Sequence, residues 1–200
     1  MRALAVILIV CGVACGSSPP THFFTLTAVA PTGHVNPAPP FPVQVNAVHI
    51  PALLDRNEMV RETGSNSLSI SEQDRWGAPL GEMARNVLAR DLAKRMPPGT
   101  VIFPEAPAPQ SAAHLVVTIE KFGADPDGRV RLVGSWALIK GQPDRTIVQR
   151  DMDLEGKAAG GAAGQAAGMS ELLARLADQI AGELDHPSVA HKQEPAGLPL

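Results

Sequence analysis

Pro79-Leu-Gly-Glu-Met-Ala-Arg-Asn-Val-Leu-Ala-Arg-Asp-Leu-Ala-Lys-Arg-Met96 is the stretch that sorts this chain into a fold class. Leu80, Met83, Ala84, Val87, Leu88, Leu92 and Met96 recur at three- and four-residue steps, which lines them up on one stripe of an amphipathic helix. Pro79 suits the first helical position, and Pro97-Pro98-Gly99 stops the helix. Glu82 and Asp91 read as polar-face carboxylates in solvent, with Asp91 able to pair with Lys94 or Arg95. Such a stripe needs an apolar surface to cover, and the flanking sequence supplies strands.

Downstream, Val101-Ile-Phe103 reads as a short strand before the proline-rich run Pro104 to Pro109. Three longer strands follow, Leu115–Phe122, Val130–Lys140 and Thr146–Leu154. They are separated by Asp125-Pro-Asp-Gly128 and Gly141-Gln-Pro-Asp144, short turns that predict an antiparallel meander. In the middle strand Val130, Leu132, Gly134, Trp136 and Leu138 share the face expected to meet helices. A last helix is predicted over 163–184, with Leu172, Leu173, Leu176, Ile180 and Leu184 as its stripe and Glu171 on its polar face; His186-Pro187 stops it.

Upstream, Phe23–Ala28 and Val43–Ile50 read as strands around a loop holding five prolines between 29 and 42. Ala52–Asp55 is a single turn, and Met59–Thr63 and Leu68–Ile70 flank a Gly64-Ser-Asn66 turn. The order is β-β-β-β-α-β-β-β-β-α. The expected fold is therefore α+β, with two helices packed on a mainly antiparallel sheet.

Length and composition fit one domain: 200 residues, 44% hydrophobic and 18% charged. A net charge of −3 lacks the basic face that nucleic acids need. At 4% aromatic residues, with no tyrosine, base-stacking platforms are not expected either.

The N-terminus reads as an export signal. Met1-Arg2 is a minimal positive region, Ala3 to Val10 is apolar, and Cys11-Gly-Val-Ala-Cys15 places small residues ahead of a cysteine. The apolar run from Ala3 to Cys15 would span about 20 Å as a helix at ~1.5 Å per residue, short of the ~30 Å bilayer core. Two processing routes fit. Gly-Val-Ala-Cys15 matches a lipobox with Gly12 where leucine is usual, which would make Cys15 a lipidated first residue. Gly12 and Ala14 also suit ordinary signal peptidase. Cysteine arithmetic favours the first route, because losing Cys11 leaves Cys15 alone in an oxidising compartment, where a thioether removes a reactive thiol. The expected division is a signal at 1–14, a tether at 15–22, one domain at 23–185 and a disordered tail at 186–200.

Reactive constellations are missing from the sequence. Gly156-Lys157 is followed by alanine, so the P-loop pattern fails. Gly160-Gly-Ala-Ala-Gly164-Gln-Ala-Ala-Gly168 lacks a dinucleotide-binding turn and reads as close backbone contact at the start of the last helix. Gly134-Ser-Trp136 is no nucleophile elbow. The six histidines form no metal-ligand pair. No enzyme, metal or dissociable cofactor is expected.

One set of motifs is more specific. Phe23-Phe-Thr-Leu26, Ile50-Pro-Ala-Leu-Leu-Asp-Arg-Asn-Glu-Met-Val-Arg61, Asn66-Ser-Leu68, Asp74-Arg-Trp76 and Pro79-Leu80 follow one another in order. Together they resemble the ABC-type transport auxiliary lipoproteins, the PqiC/YmbA-like family, best over 23–96 and in element order only to Leu184. Phe23-Phe24 stand where tyrosines are commoner, and the proline loop at 29–42 is longer than the pattern. The resemblance implies a periplasmic lipoprotein held at the outer membrane by lipid on Cys15. Gly16 after that cysteine agrees with outer-membrane sorting. It further implies a homo-oligomer, ring-forming, that docks an MCE-domain protein and its membrane permease complex for movement of phospholipid or other hydrophobic molecules. Arg56, Arg75 and Trp76 are the candidate partner-binding residues. The two arginines read as anchors for loop carboxylates or carbonyls, with a lipid phosphate as the alternative, and Trp76 as a plug of the core. A carrier enclosing its own ligand competes with this reading, and a closed apolar cavity would favour it. An unanchored secreted assembly factor is the third alternative.

Overall fold

The computed structural model describes residues 19–33 and 35–185. The expected signal at 1–14, Cys15 and the tail at 186–200 lie outside the described residues. The elements are β1 (His22–Phe24), β2 (Val43–His49), β3 (Glu58–Gly64), β4 (Ser67–Trp76), α1 (Leu80–Arg95), β5 (Val101–Ile102), β6 (Ala113–Ala124), β7 (Arg129–Lys140), β8 (Arg145–Lys157) and α2 (Gly161–Asp185). Their order is the one read from the sequence.

All eight strands join one sheet, and that sheet is mixed. The expectation of a mainly antiparallel sheet is wrong. β1–β4, β2–β5, β2–β6 and β3–β6 run parallel; β3–β4, β6–β7 and β7–β8 run antiparallel. The reason is topological. Short turns reveal only pairs adjacent in sequence, and the expected meander β6–β7–β8 is one of these. The chain also crosses over through α1, and a helical crossover returns a strand parallel to those it left.

β6 sits at the centre of this arrangement. One of its edges pairs with β7 from His114 to Ala124. The other edge is shared: β2 takes it from Ala113 to Thr118, and β3 rejoins it only at Ala124, through Arg61. Between these two points the chain makes its detour through the turn at 51–57.

Both helices lie against the sheet and touch each other, α1 over β2 and β5, α2 over β6, β7 and β8. Val130, Leu132, Trp136 and Leu138 of β7 are buried, as are Leu172, Leu173, Leu176, Ile180 and Leu184 of α2, so both expected faces are correct. Of the glycines at the start of α2, Gly164 and Gly168 make close contacts, whereas Gly160 and Gly161 have open space where a side chain would stand. A Cβ on Gly168 would lie 2.7 Å from the Val130 side chain, and one on Gly164 would overlap the Ala159 carbonyl. The segment after β1 is also tied down. Thr27 N–H donates to Ser170 Oγ at 3.1 Å, and that hydroxyl donates to the Ala166 carbonyl at 2.8 Å. Ser170→Ala should lose about 0.5–1.5 kcal/mol, the net worth of the Thr27 hydrogen bond; urea unfolding reads this directly.

One expectation for α1 fails. Asp91 is not a solvated carboxylate: it is fully buried together with Arg95. Arg95 donates from Nε to Asp178 Oδ1 at 2.5 Å and from Nη1 to the Val29 carbonyl at 3.3 Å, while Asp91 Oδ1 accepts from Val29 N–H at 2.8 Å. Three carriers of charge thus pin the proline-rich loop into the angle between the two helices. The loop covers a helix face that periodicity alone assigns to water.

Burial pushes the Asp91 carboxyl up to about 6, against the pull of the Val29 N–H and the Arg95 and Lys94 charges. Asp178 nearby adds to the rise. A folded-state value above the unfolded 3.8 means that the native state holds a proton the unfolded chain releases. Stability from this group is therefore present at low pH and falls as pH rises from about 4 to about 6, by at most ~1.4 kcal/mol per pH unit. Asp91→Asn should remove that dependence; urea midpoints of both proteins between pH 4 and 7 provide the comparison.

Candidate functional site

Register fixes what stands beside what on the sheet face turned away from the helices. Phe23 of β1 and Glu58 of β3 both pair with Arg75 of β4, so the three side chains form one row. Their neighbours Phe24, Trp76 and Met59 alternate to the other face and join the core. Arg56, in the turn before β3, donates from Nε to Glu58 Oε2 at 2.9 Å. That bond, first among the causes, holds the half-buried Glu58 carboxyl below the ordinary range, with the Arg75 charge adding to it. Arg75 Nε is shielded from solvent and makes no hydrogen bond.

The structure thus brings two of the three sequence candidates together. Arg56 and Arg75 flank one carboxylate, the anchoring role weighed for them. Trp76 goes elsewhere: it is 3% exposed, with its ring in the core, and its backbone N–H donates to the Asn57 carbonyl at 2.7 Å.

Exposed apolar side chains accompany Phe23 on this surface, and sequence reasoning did not mark Leu53, Leu68 or Ile70 as exposed. Phe23 is 68% exposed, Leu53 50%, Ile70 43% and Leu68 42%, four of the six large apolar residues exposed among those described. Ile70 pairs with Val60 and Leu68 with Glu62, on the side of the sheet that carries Glu58. Beside them a cleft of about 470 Å³ opens over the stretch of β6 that neither β2 nor β3 pairs. Pro51, Leu54, Val60 and Leu68 make its apolar wall, and Lys121 and Arg131 stand at its rim. The available sequence signal was Ser67-Leu-Ser-Ile-Ser71, whose aliphatic residues alternate without any core strand to bury them.

This surface, apolar with charged groups beside it, can hold a partner by contact. Among the described residues no group of three or more His, Cys, Asp or Glu could hold a metal ion. No described helix is long and apolar enough to cross a membrane.

The sequence profile of the ABC-type transport auxiliary lipoprotein component matches residues 24–181, a span holding every element from β2 to β8 and nearly all of α2. The chain belongs to this family. Its relatives include the intermembrane transport lipoprotein PqiC of Escherichia coli, 31% identical over 113 residues. That match covers 56% of this chain and 57% of the relative, so it spans little more than half of either. The PqiC of Shigella flexneri matches equally. Among solved structures, a Xanthomonas campestris protein superposes with a TM-score of 0.68 at 14% identity, over 81% of this chain and 93% of its own. A second, uncharacterized protein gives 0.61 at 22%, over 84% and 97%. At these identities the likeness concerns the fold alone. Family membership and the mixed α+β fold agree with each other, since the matched span contains the crossover that makes the sheet mixed.

Proposed function

We propose that this family member is an auxiliary lipoprotein of an intermembrane transport system, held at the periplasmic face of the outer membrane by lipid on Cys15. There it docks an MCE-domain protein and its permease complex, so that phospholipid or another hydrophobic cargo passes between the membranes. The family match over 24–181 carries this reading, together with a relative named as an intermembrane transport lipoprotein. The row of exposed Phe23 with half-buried Arg75 and Glu58, with Arg56 behind it, supports adhesion. Its mixed apolar and charged character is that of a protein-contact surface. Self-association is part of the same reading.

Cys15→Ser tests the anchor. Lipid on cysteine holds durably only when two or more chains bury their methylenes, at ~0.8 kcal/mol each. The expected result is loss of the lipid mass and, behind a cleavable signal, release of a folded domain into the soluble periplasmic fraction. An unmodified Cys15 in the wild-type mass contradicts the anchor. Phe23→Ala with Arg75→Glu tests docking: recovery of the MCE-domain protein should drop while the fold is retained.

The cleft of about 470 Å³ favours a second reading, a carrier that holds cargo itself. Its volume lies within the range of small-molecule sites. Co-purified phospholipid in native mass spectra, lost on Leu54→Arg, would support that reading over docking alone.

A further inference from the structure

The chain enters the sheet from one end. β1 runs parallel to β4, with His22 level with Asp74 and Phe24 level with Trp76. The residues before His22 therefore arrive from the side on which β4 begins, where the turn joins Gly64 to Ser67. Pro19 and Pro20 are exposed and stiffen the approach. Seven residues separate Cys15 from His22, so its thiol lies within about 25 Å of His22 even at full extension. Leu68 stands six residues from Asp74 along β4, about 20 Å and inside that reach.

The same end of the sheet carries aliphatic side chains in the open. Leu68 and Ile70 are exposed on β4, and exposed Leu53 shares the wall of the cleft with Leu68. Lys121 and Arg131 at the cleft rim are already paired, with Glu62 at 3.6 Å and with Asp153 at 2.7 Å. The patch thus offers hydrocarbon rather than free positive charge. Clustered apolar exposure of this kind marks a contact surface, and the course of the chain says which one.

We propose that this end is the seat of the domain on the bilayer: Leu53, Leu68 and Ile70 enter the boundary between the headgroups and acyl chains of the membrane that holds the lipid on Cys15. The proposal rests on the anchor proposed above and names the surface that the anchor holds down. Three side chains alone would bind a bilayer weakly, but a tether of this length keeps them beside it at high effective concentration. Arg75 lies five residues from Ile70, so the row of Phe23, Arg75 and Glu58 stands roughly 15 Å further from the bilayer and stays clear for a protein partner.

The test places the lipidated mature chain on vesicles of phosphatidylethanolamine and phosphatidylglycerol brominated on their acyl chains. An apolar face resting on a bilayer sits about 5–10 Å into that boundary, in contact with the bromines. Trp76 and Trp136 are buried and give a constant background. The tryptophan added by Leu68→Trp should be quenched about threefold or more relative to that of Gln149→Trp. Gln149 is exposed on β8 and level with Val116, toward the other end of β6. The same ratio is expected in brominated phosphatidylcholine, because the contact needs no anionic lipid. Adding Ile70→Glu to Leu68→Trp should remove most of the quenching, with lipid mass, vesicle flotation and thermal melt unchanged. Equal quenching at 68 and 149 in a lipidated, floating chain, or quenching at 68 that survives Ile70→Glu, overturns the seat alone. A chain that carries no lipid and does not float overturns the anchor; coupling its free Cys15 to a maleimide lipid then puts the seat to the same test by itself.

Discussion

Gly134→Ala is expected to lower the stability of the domain by at least about 3 kcal/mol, and in a marginal background to leave no folded protein. The added Cβ would lie 2.1 Å from the Thr118 carbonyl oxygen and 3.0 Å from the Ile119 Cα. Both are backbone atoms, so no side chain can swing aside. Nor can the strand retreat, because β7 is bonded on its other side to β8, where Gly134 faces Met152. The close approach comes from β6, whose register with β7 shifts between Ile119 and Lys121, so that one extra residue presses the strand toward its neighbour. The Gly134 backbone at φ 156° adds to the strain on any larger residue. Urea unfolding followed by tryptophan fluorescence measures the loss. A midpoint within the error of the wild type would mean that the β6 bulge can relax by itself.

Arg95→Met is expected to cost about 3–5 kcal/mol, the usual penalty for removing one partner from a buried ion pair. Arg95 faces Asp178 through two nitrogens and Asp91 at 3.7 Å, and also donates to the carbonyls of Val29 and Asp91. Without it, Asp91 keeps the Val29 N–H but loses its compensating charge in a site closed to water. Arg95→Met combined with Asp91→Asn should lose clearly less than the single arginine change, because the stranded charge is then gone. A double variant as unstable as the sum of the two would show instead that Arg95 acts through packing. The same substitution should expose the proline-rich loop to protease, since the Arg95 Nη1 bond to the Val29 carbonyl at the start of the loop is lost.

These two positions mark where the sequence stops being legible. The stripes of α1 and α2, the meander and the inward face of β7 could be read, because each follows from the spacing of apolar residues along one element. Gly134 was visibly an inward position without a side chain, but the bulge that requires it belongs to another strand. Asp91 and Arg95 looked like solvent residues because their burial comes from a loop of prolines that has no period at all. The parallel pairings were hidden for a similar reason, since strands that neighbour β6 across the α1 crossover leave no turn in the sequence. At the candidate surface, Arg56 and Arg75 stood out as charged members of a motif, whereas Leu53 and Leu68, inside the same motif, and Ile70, outside it, were not marked as surface residues. An exposed aliphatic residue looks like a buried one until the strand pairing is known. Trp76 could be read either as plug or as contact, and only its register with Phe24 sends it inward.

The direction of β1 has a mechanical consequence. This strand of three residues lies parallel to the end of β4, with Gly77 N–H reaching the Phe24 carbonyl at 2.8 Å just beyond the last pair. A pull on the chain from the side of Pro19, along the strand axis, loads those backbone bonds in shear. They carry the force together instead of parting one after another as the teeth of a zipper do. Behind them the next holds are Thr27 on Ser170 and Val29 on Asp91, one in each helix layer contact. Force arriving at the N-terminal side is therefore passed to α2 and α1 in turn, and the short strand serves the domain as its cleat.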